Sequence, residues 1–135
     1  TKFRSAKDDG PRMIIGSLTS ELENLDTLMH IVVAQNIWWD VTYVGNNIPH
    51  DEMTFMANRV QARTIVVALN NPRDIARKTY EIKTMKELAD LKDNIVLIGA
   101  QASSYRQIAD DVKAIVSQDL SSFRLTLERL YGLIR

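Results

Sequence analysis

Apolar segments of strand length alternate with longer segments of helical spacing five times along this chain. One of them, "TIVVAL" at 64–69, is a continuous hydrophobic run, which is typical of a strand covered on both faces. A regular alternation of strands and helices predicts a mainly parallel sheet with helices on both sides. We therefore expect a three-layer α/β domain with a five-stranded, flavodoxin-like or Rossmann-like sheet. Its ligands would lie at the carboxyl ends of the strands.

The predicted elements occupy most of the chain. Strands are expected at 12–18, 40–47, 64–69, 95–99 and 112–116. Helices are expected at 20–36, 49–63, 72–94, 104–111 and 117–132, the third with a candidate break near its middle. Residues 1–12 are polar and contain Gly10-Pro11, which predicts a linker or tail before a single domain at 13–135. Because the chain begins with Thr1 rather than Met, we expect it to be a piece of a longer protein.

The composition argues against several classes of function. Seventeen basic and seventeen acidic residues cancel, which argues against a standing attraction to nucleic acid or an anionic membrane. The absence of cysteine excludes disulfides and thiolate metal sites. No Walker motif is present, and no apolar run approaches the roughly 20 residues that span a bilayer. The basic residues of "NRVQAR" and "RDIARKTYEIKTMKEL", the latter interleaved with acids, predict solvated helix faces rather than a nucleic-acid track. The absence of cysteine fits the cytoplasm, and we expect a cytoplasmic domain.

An acidic helix start follows the first strand. Apolar residues at helical spacing predict this helix: Leu22, Leu25, Leu28, Met29, Val32 and Val33. Ser20 is a candidate N-cap, and Glu23 completes the capping-box pattern. Glu21 and Glu23 are two positions apart, so their carboxylates point in different directions and do not form an acid–base pair. Both carboxylates are stabilising near the amino terminus of the helix, where the helix dipole is positive.

The same helix start opens a pattern that resembles the cobalamin-binding domain of methionine synthase, carbon-skeleton mutases, corrinoid methyltransferase proteins and light-responsive MerR-class regulators. The family motif reads Asp-x-His-x-x-Gly, then Ser-x-Leu, then Gly-Gly. Its three parts fall here on "ELENLD" at 21–26, "ALN" at 68–70 and "GA" at 99–100, with the family spacing between them. The resemblance covers residues 13–135 and implies that family's fold.

The resemblance also implies where a cofactor would bind. The positions are Glu21, Glu23, Asp26, Ala68, Asn70, Gly99 and Ala100. In the family the His is the lower ligand to cobalt and the Asp orients it, whereas Glu23 stands at the His position here. Asp26 replaces the Gly that lets the cofactor's nucleotide tail pass, and Ala68 replaces the Ser hydroxyl. We therefore expect no bound cofactor, with cobalamin held without a His, or haem, as the alternative.

Two histidines and two tryptophans are the remaining candidate site residues. We expect His30 at the edge of the core and His50 at the start of the second helix, and either is a candidate axial ligand if the domain holds haem. No short ligand spacing predicts another metal site. Of Trp38 and Trp39, one is expected to pack under the sheet and the other to be exposed.

These patterns together predict a non-catalytic sensory or protein-interaction domain of a regulatory protein, in transcription or signalling. We expect it to self-associate, or to dock another domain of the parent chain, through the uncharged polar turns after the strands: "GSLTS", "GNNIP", "LNNPR" and "GAQASS". Trp38 or Trp39 and the first helix are expected beside that surface. The alternatives are a cofactor-binding sensor or carrier and, disfavoured by the missing His, a corrinoid methyltransferase subunit.

Overall fold

The computed structural model describes residues 10–18, 25–69, 75–91, 93–99 and 102–133. The strands are β1 (Arg12–Ser17), β2 (Asp40–Gly45), β3 (Thr64–Ala68), β4 (Ile95–Ile98) and β5 (Ile115–Val116). The helices are α1 (Leu25–Asn36), α2 (His50–Val60), α3 (Ile75–Leu88), α4 (Arg106–Val112) and α5 (Leu120–Leu133). A short 3-10 turn, Ala102–Tyr105, leads into α4. Among these helices, none has both the length and the apolar composition needed to cross a membrane.

The five strands form one sheet in the order β2-β1-β3-β4-β5, and every neighbouring pair is parallel. This confirms the predicted α/β class and the flavodoxin-like order. The chain moves outward from β1 to β2, returns to β3 on the other side of β1, and then continues to β4 and β5. The direction of travel therefore reverses between β1 and β3.

Two apolar cores lie on the two faces of the sheet. On one face, Ile31 of α1 and Phe123 of α5 pack with Met13 and Ile15 of β1. On the other face, Ile14 of β1 packs with residues of α2, α3 and α4: Met53, Ala57, Ile82, Met85, Ala109 and Val112. The alternation of Met13, Ile14 and Ile15 between the two cores is the two-residue period of a strand. The sheet is thus covered on both faces, as its apolar strands predict.

Several element boundaries differ from the sequence-based expectation. Arg12, which was included in both the predicted tail and the predicted first strand, begins β1 and pairs with Asp40 at the start of β2. The third helix is continuous over its described length and ends at Leu88 rather than at 94. The fifth strand is only two residues long, because α4 extends to Val112 and Lys113 then adopts a left-handed conformation with φ of 61°.

The two tryptophans are divided as predicted. Trp39 is fully buried, and its indole N–H lies 3.4 Å from the carbonyl oxygen of Leu127 in α5. Trp38 is 52% exposed. The predicted position of Trp38 and Trp39 beside the strand-end turns is wrong, however. Both residues precede β2, and in a parallel sheet the helix-to-strand connections lie at the amino ends of the strands.

Candidate functional site

The carboxyl ends of β1 and β3 mark the place where ligands bind in open α/β sheets. These two strands are neighbours, and Ser17 lies opposite Ala68 at their ends. The chain leaves β1 toward α1 on one face and leaves β3 toward α3 on the other face. Diverging connections of this kind open a crevice at the switch point of the sheet.

Four of the predicted cofactor positions, Glu21, Glu23, Asn70 and Ala100, lie outside the described residues. The other three can be placed. Ala68 is buried at the end of β3, and its carbonyl oxygen accepts a hydrogen bond of 3.0 Å from the Ser17 hydroxyl. Gly99 follows β4 with φ of 108°, a conformation that favours glycine. Because β3 and β4 are paired, the structure brings Ala68 and Gly99 to adjoining strand ends.

Asp26 lies in the first turn of α1, with a side chain that is 47% exposed. One carboxylate oxygen is 3.7 Å from Nδ1 of His30, one turn further along the helix. The motif positions that the structure describes thus supply a carboxylate, a methyl group and a glycine backbone. None of the three supplies an imidazole or a side-chain hydroxyl.

His30 was expected at the edge of the core, and this prediction is wrong. The residue is 2% exposed, because it lies on the inner face of α1 with Thr27, Ile31 and Ala34. Its Nδ1 is 2.7 Å from the carbonyl oxygen of Asp26, so Nδ1–H is the donor in this contact. Nε2 is buried without a hydrogen-bond partner among the described residues, and the ring meets Phe123 edge-on at 4.7 Å.

His50 begins α2 as predicted and lies on the opposite side of the sheet from His30. Its neighbour is the carboxylate of Glu81 in α3, which the sequence-based prediction missed. Glu81 accepts a hydrogen bond of 2.9 Å from Lys78, and its second oxygen is 3.5 Å from Nδ1 of His50. Lys78 also donates to the carbonyl oxygen of Leu18, just after β1. This cluster connects α2 and α3 to the strand-end edge.

The prediction that the charged residues of α3 form a solvated face is wrong for Lys78 and Glu81, which with His50 of α2 form the His50–Glu81 cluster. The side chains of Glu81 and Lys78 are 9% and 15% exposed, whereas that of Arg77 is 71% exposed. Glu81 is flanked on the buried side by Ile82 and Met85. Glu81, Ile82 and Met85 are spaced so that they lie on one face of the helix. This spacing is the sequence signal that could have predicted the burial of Glu81.

Tyr105 lies close to this cluster, at the end of the 3-10 turn. It is 1% exposed, and its hydroxyl has no hydrogen-bond partner among the described residues. Burial, followed by the negative charge of Glu81, raises the pKa of the Tyr105 hydroxyl above its usual value. The side chain therefore stays neutral. Across the part of the chain that the structure describes, no group of three or more acidic or histidine side chains is arranged to hold a metal ion.

Among the residues that the structure describes, α1 has the largest group of exposed apolar side chains on one element. Four side chains on its outer face, named here the α1 stripe, are between 41% and 70% exposed: Leu25, Leu28, Met29 and Val32. They follow the i, i+3, i+4, i+7 spacing that usually marks the buried side of a helix. The inner face of α1 instead buries the less conspicuous set that includes Thr27 and His30. Both sides of α1 are thus apolar, and only the inner side is covered by residues that the structure describes.

Comparison with models of known protein families gives no match, and comparison with curated proteins gives none. Solved structures do match. A novel cobalamin-binding protein from Desulfitobacterium hafniense DCB-2 has a TM-score of 0.70 at 10% identity, over 88% of this chain and 58% of that one. The Methanosarcina barkeri monomethylamine corrinoid protein has a TM-score of 0.71 at 10% identity, over 87% of this chain and 57% of that one.

This chain spans a little over half the length of either neighbour. At this level of identity the likeness concerns the fold. The shared features are the five-stranded parallel sheet and the helices that flank it. The chain therefore has the fold of the cobalamin-binding domain.

Proposed function

We propose that this chain is a non-catalytic sensory or protein-interaction domain of a regulatory protein, which uses the cobalamin-binding fold without a histidine-ligated cobalamin. The α1 stripe is the observation that carries the proposal. Its four side chains form a continuous apolar face over two turns of helix. A helix that is apolar on both sides is normally covered on both sides in the working protein. A covering partner is therefore expected on the outer side of α1.

The residues at the described motif positions do not fit cobalamin held through a protein imidazole. Asp26 places a carboxylate where the family has a glycine, and Ala68 offers a methyl group whose neighbouring carbonyl already accepts from Ser17. The two histidines are elsewhere, His30 within the core and His50 beside Glu81 on the other face of the sheet. An imidazole ligand at the family position is thus missing from the sequence, where Glu23 stands.

We place the interaction surface on α1 rather than at the strand-end edge. Trp38, the expected aromatic anchor of that edge, lies at the opposite end of the sheet. At the strand-end edge, the described charged groups of the His50–Glu81 cluster contact one another and a backbone carbonyl. The α1 stripe has apolar area without such internal contacts, and apolar area is what the centre of an interface needs.

Cobalamin binding without a protein imidazole is the second candidate function, and the likeness to two corrinoid-binding proteins is the observation that favours it. It would use the crevice at the ends of β1 and β3. The two candidates make different demands on α1. Only the interaction function requires that its outer face be covered.

Peroxide oxidation of the methionines tests the proposed function. Met29 is 44% exposed, whereas Met13, Met53 and Met85 are fully buried and provide internal controls. We expect Met29 to oxidise first in the dilute chain, and to be protected at least several-fold in the assembled parent protein. Sulfoxide at Met29 should also weaken assembly, because it places a polar group on the apolar surface. Equal oxidation rates of Met29 in the dilute chain and in the assembly would contradict the proposal.

A further inference from the structure

We infer that the α1 stripe packs against the α1 stripe of a second copy of this chain, around a twofold axis with the two helices antiparallel. This inference rests on the proposed function, because it names the occupant of the surface proposed there. Three properties of the surface support it: its spacing, its area and its distribution of charge.

The spacing of the stripe suits a helix as the occupant. Leu25, Leu28, Met29 and Val32 form a seam about two turns long on a helix of 12 residues. Such a seam accepts the ridge of another helix at an interaxial distance of about 8–10 Å. In an antiparallel twofold pair, Leu25 of one copy lies opposite Val32 of the other, and Leu28 and Met29 meet at the axis. Each residue thus meets an apolar residue of the partner.

The area of the stripe is close to what a dimer of ordinary size requires. From its exposed fractions, the stripe presents roughly 400 Å² of surface, which lies within the range of about 300–600 Å² for the largest apolar patch on a typical monomer, a patch that is often functional. A standard interface removes about 800 Å² from each partner, and a little over half of that is apolar. The stripe can therefore supply most of the apolar share, and polar surface around it can supply the rest.

The charge around the stripe is compatible with a second copy. Asp26 is the only acidic residue of α1, which has no Lys or Arg, so the stripe has no charge that selects an oppositely charged partner. Antiparallel pairing also places the amino end of one α1 near the carboxyl end of the other, which suits the two helix dipoles. Beside α1, helix α5 exposes Arg124 and Glu128, 3.8 Å apart and opposite in sign. Around a twofold axis, Arg124 of one copy can approach Glu128 of the other. A surface that carried only one sign of charge would repel the same surface of the second copy.

Sedimentation equilibrium of the 135-residue chain tests the inference directly. We expect a reversible dimer whose dissociation constant is in the low micromolar range or higher. Val32→Glu should weaken dimerisation by about 100-fold or more, because it buries an unpaired carboxylate in the seam. Phe55→Glu is the matched control, since Phe55 is 63% exposed on α2, on the other side of the sheet. It should leave the dimer unchanged. Circular dichroism of both variants checks that the fold is retained.

Cross-linking identifies the surface without altering the fold. The chain has no cysteine, so a single introduced thiol is the only reactive one. Met29→Cys should join two copies efficiently through a short bis-maleimide, whereas Phe55→Cys should not. A dimer that survives Val32→Glu, or that cross-links equally from both positions, would overturn the inference.

A chain that stays monomeric up to roughly 1 mM would also overturn the second-copy inference. That result would leave the proposed interaction function standing, because protection of Met29 in the assembled parent protein is measured independently. Protection of Met29 by a different protein, with no dimer of this chain, would assign the stripe to that partner instead. The two claims therefore fail on different observations.

Discussion

Single residues in this chain show how closely its strands and helices approach one another. Gly16 lies at the end of β1, where the pairing with β2 shifts register. A Cβ atom at this position would be 2.5 Å from a methyl group of Val44 and 2.9 Å from the carbonyl oxygen of Gly45. Only glycine therefore allows β1 and β2 to come this close together.

We expect Gly16→Ala to lower the free energy of unfolding by roughly 2 kcal/mol, because the added methyl group overpacks a filled space. Gly132→Ala is the matched control. An added Cβ at Gly132 has no neighbour within 4 Å, and the residue lies in α5. There alanine should raise the free energy of unfolding by about 1 kcal/mol through helix propensity. Urea denaturation measures both, and a neutral Gly16→Ala would contradict the described contact.

Tyr105 provides a second test at the residue scale. Its hydroxyl is buried without a described partner, so Tyr105→Phe should raise the free energy of unfolding by about 1 kcal/mol. Tyr80→Phe is the control, because Tyr80 is 64% exposed, and it should change stability by less than about 0.5 kcal/mol. A loss of stability on Tyr105→Phe would show that the hydroxyl has a favourable contact.

The raised pKa of Tyr105 also predicts a dependence of stability on pH. In the unfolded chain the hydroxyl ionises near pH 10, its ordinary value, whereas in the folded chain it stays neutral to a higher pH. Stability is therefore independent of this group below about pH 10 and falls as pH rises above it. Urea denaturation between pH 9 and about pH 11 should show a smaller fall for Tyr105→Phe than for the natural chain.

The individual residues also show which site features can be predicted from sequence. The division between a buried and an exposed tryptophan agrees with the prediction, and the structure shows that Trp38, with φ of 71°, lies in a turn before the strand. The inward position of Glu81 was not predicted, because acids interleaved with basic residues suggest a solvated face. Its burial depends on Lys78 and His50, and the latter comes from another helix.

At the scale of elements, the strands were easier to predict than the helix faces. Short apolar runs such as "TIVVAL" are typical of strands in a sheet that is covered on both faces. The structure confirms the bounds of the third and fourth predicted strands to within one or two residues. The fifth strand was predicted too long, because α4 ends at a left-handed residue, Lys113. Such a position is usually recognised in a sequence by a glycine, and here it is a lysine. For α1, periodicity predicted the helix, but it did not reveal that the conspicuous apolar repeat faces outward.

Asp26 of α1 and Ala68 of β3 are altered motif positions, and restoring them together with Glu23 tests whether the fold keeps a cofactor site. In the variant with Glu23→His, Asp26→Gly and Ala68→Ser, we expect the fold to be retained and weak cobalamin binding to appear. The reason is that the sheet and its switch point have the arrangement of corrinoid-binding neighbours. Calorimetry and visible absorption measure this binding. A folded triple variant without any affinity for cobalamin would contradict the idea that only the motif is altered.

At the scale of the whole molecule, the alternation of elements predicted the sheet, its parallel pairing and its strand order. Topology follows from a few strong rules on crossover connections, so few arrangements were possible. The interaction surface that we propose does not follow from such rules. It depends on which side of α1 the sheet covers, and this is decided by three-dimensional contacts with Phe123 and its neighbours on α5.

We propose, as our central claim, that this chain with the cobalamin-binding fold acts through protein contact and does not carry cobalamin. Sedimentation velocity with added cobalamin, recorded in both the ultraviolet and the visible, tests it in one measurement. We predict that the protein boundary moves faster as concentration rises, while the visible absorbance of cobalamin stays behind as unbound small molecule. Cobalamin that moves with the protein at about 10 μM, together with a boundary that remains monomeric, would contradict the claim.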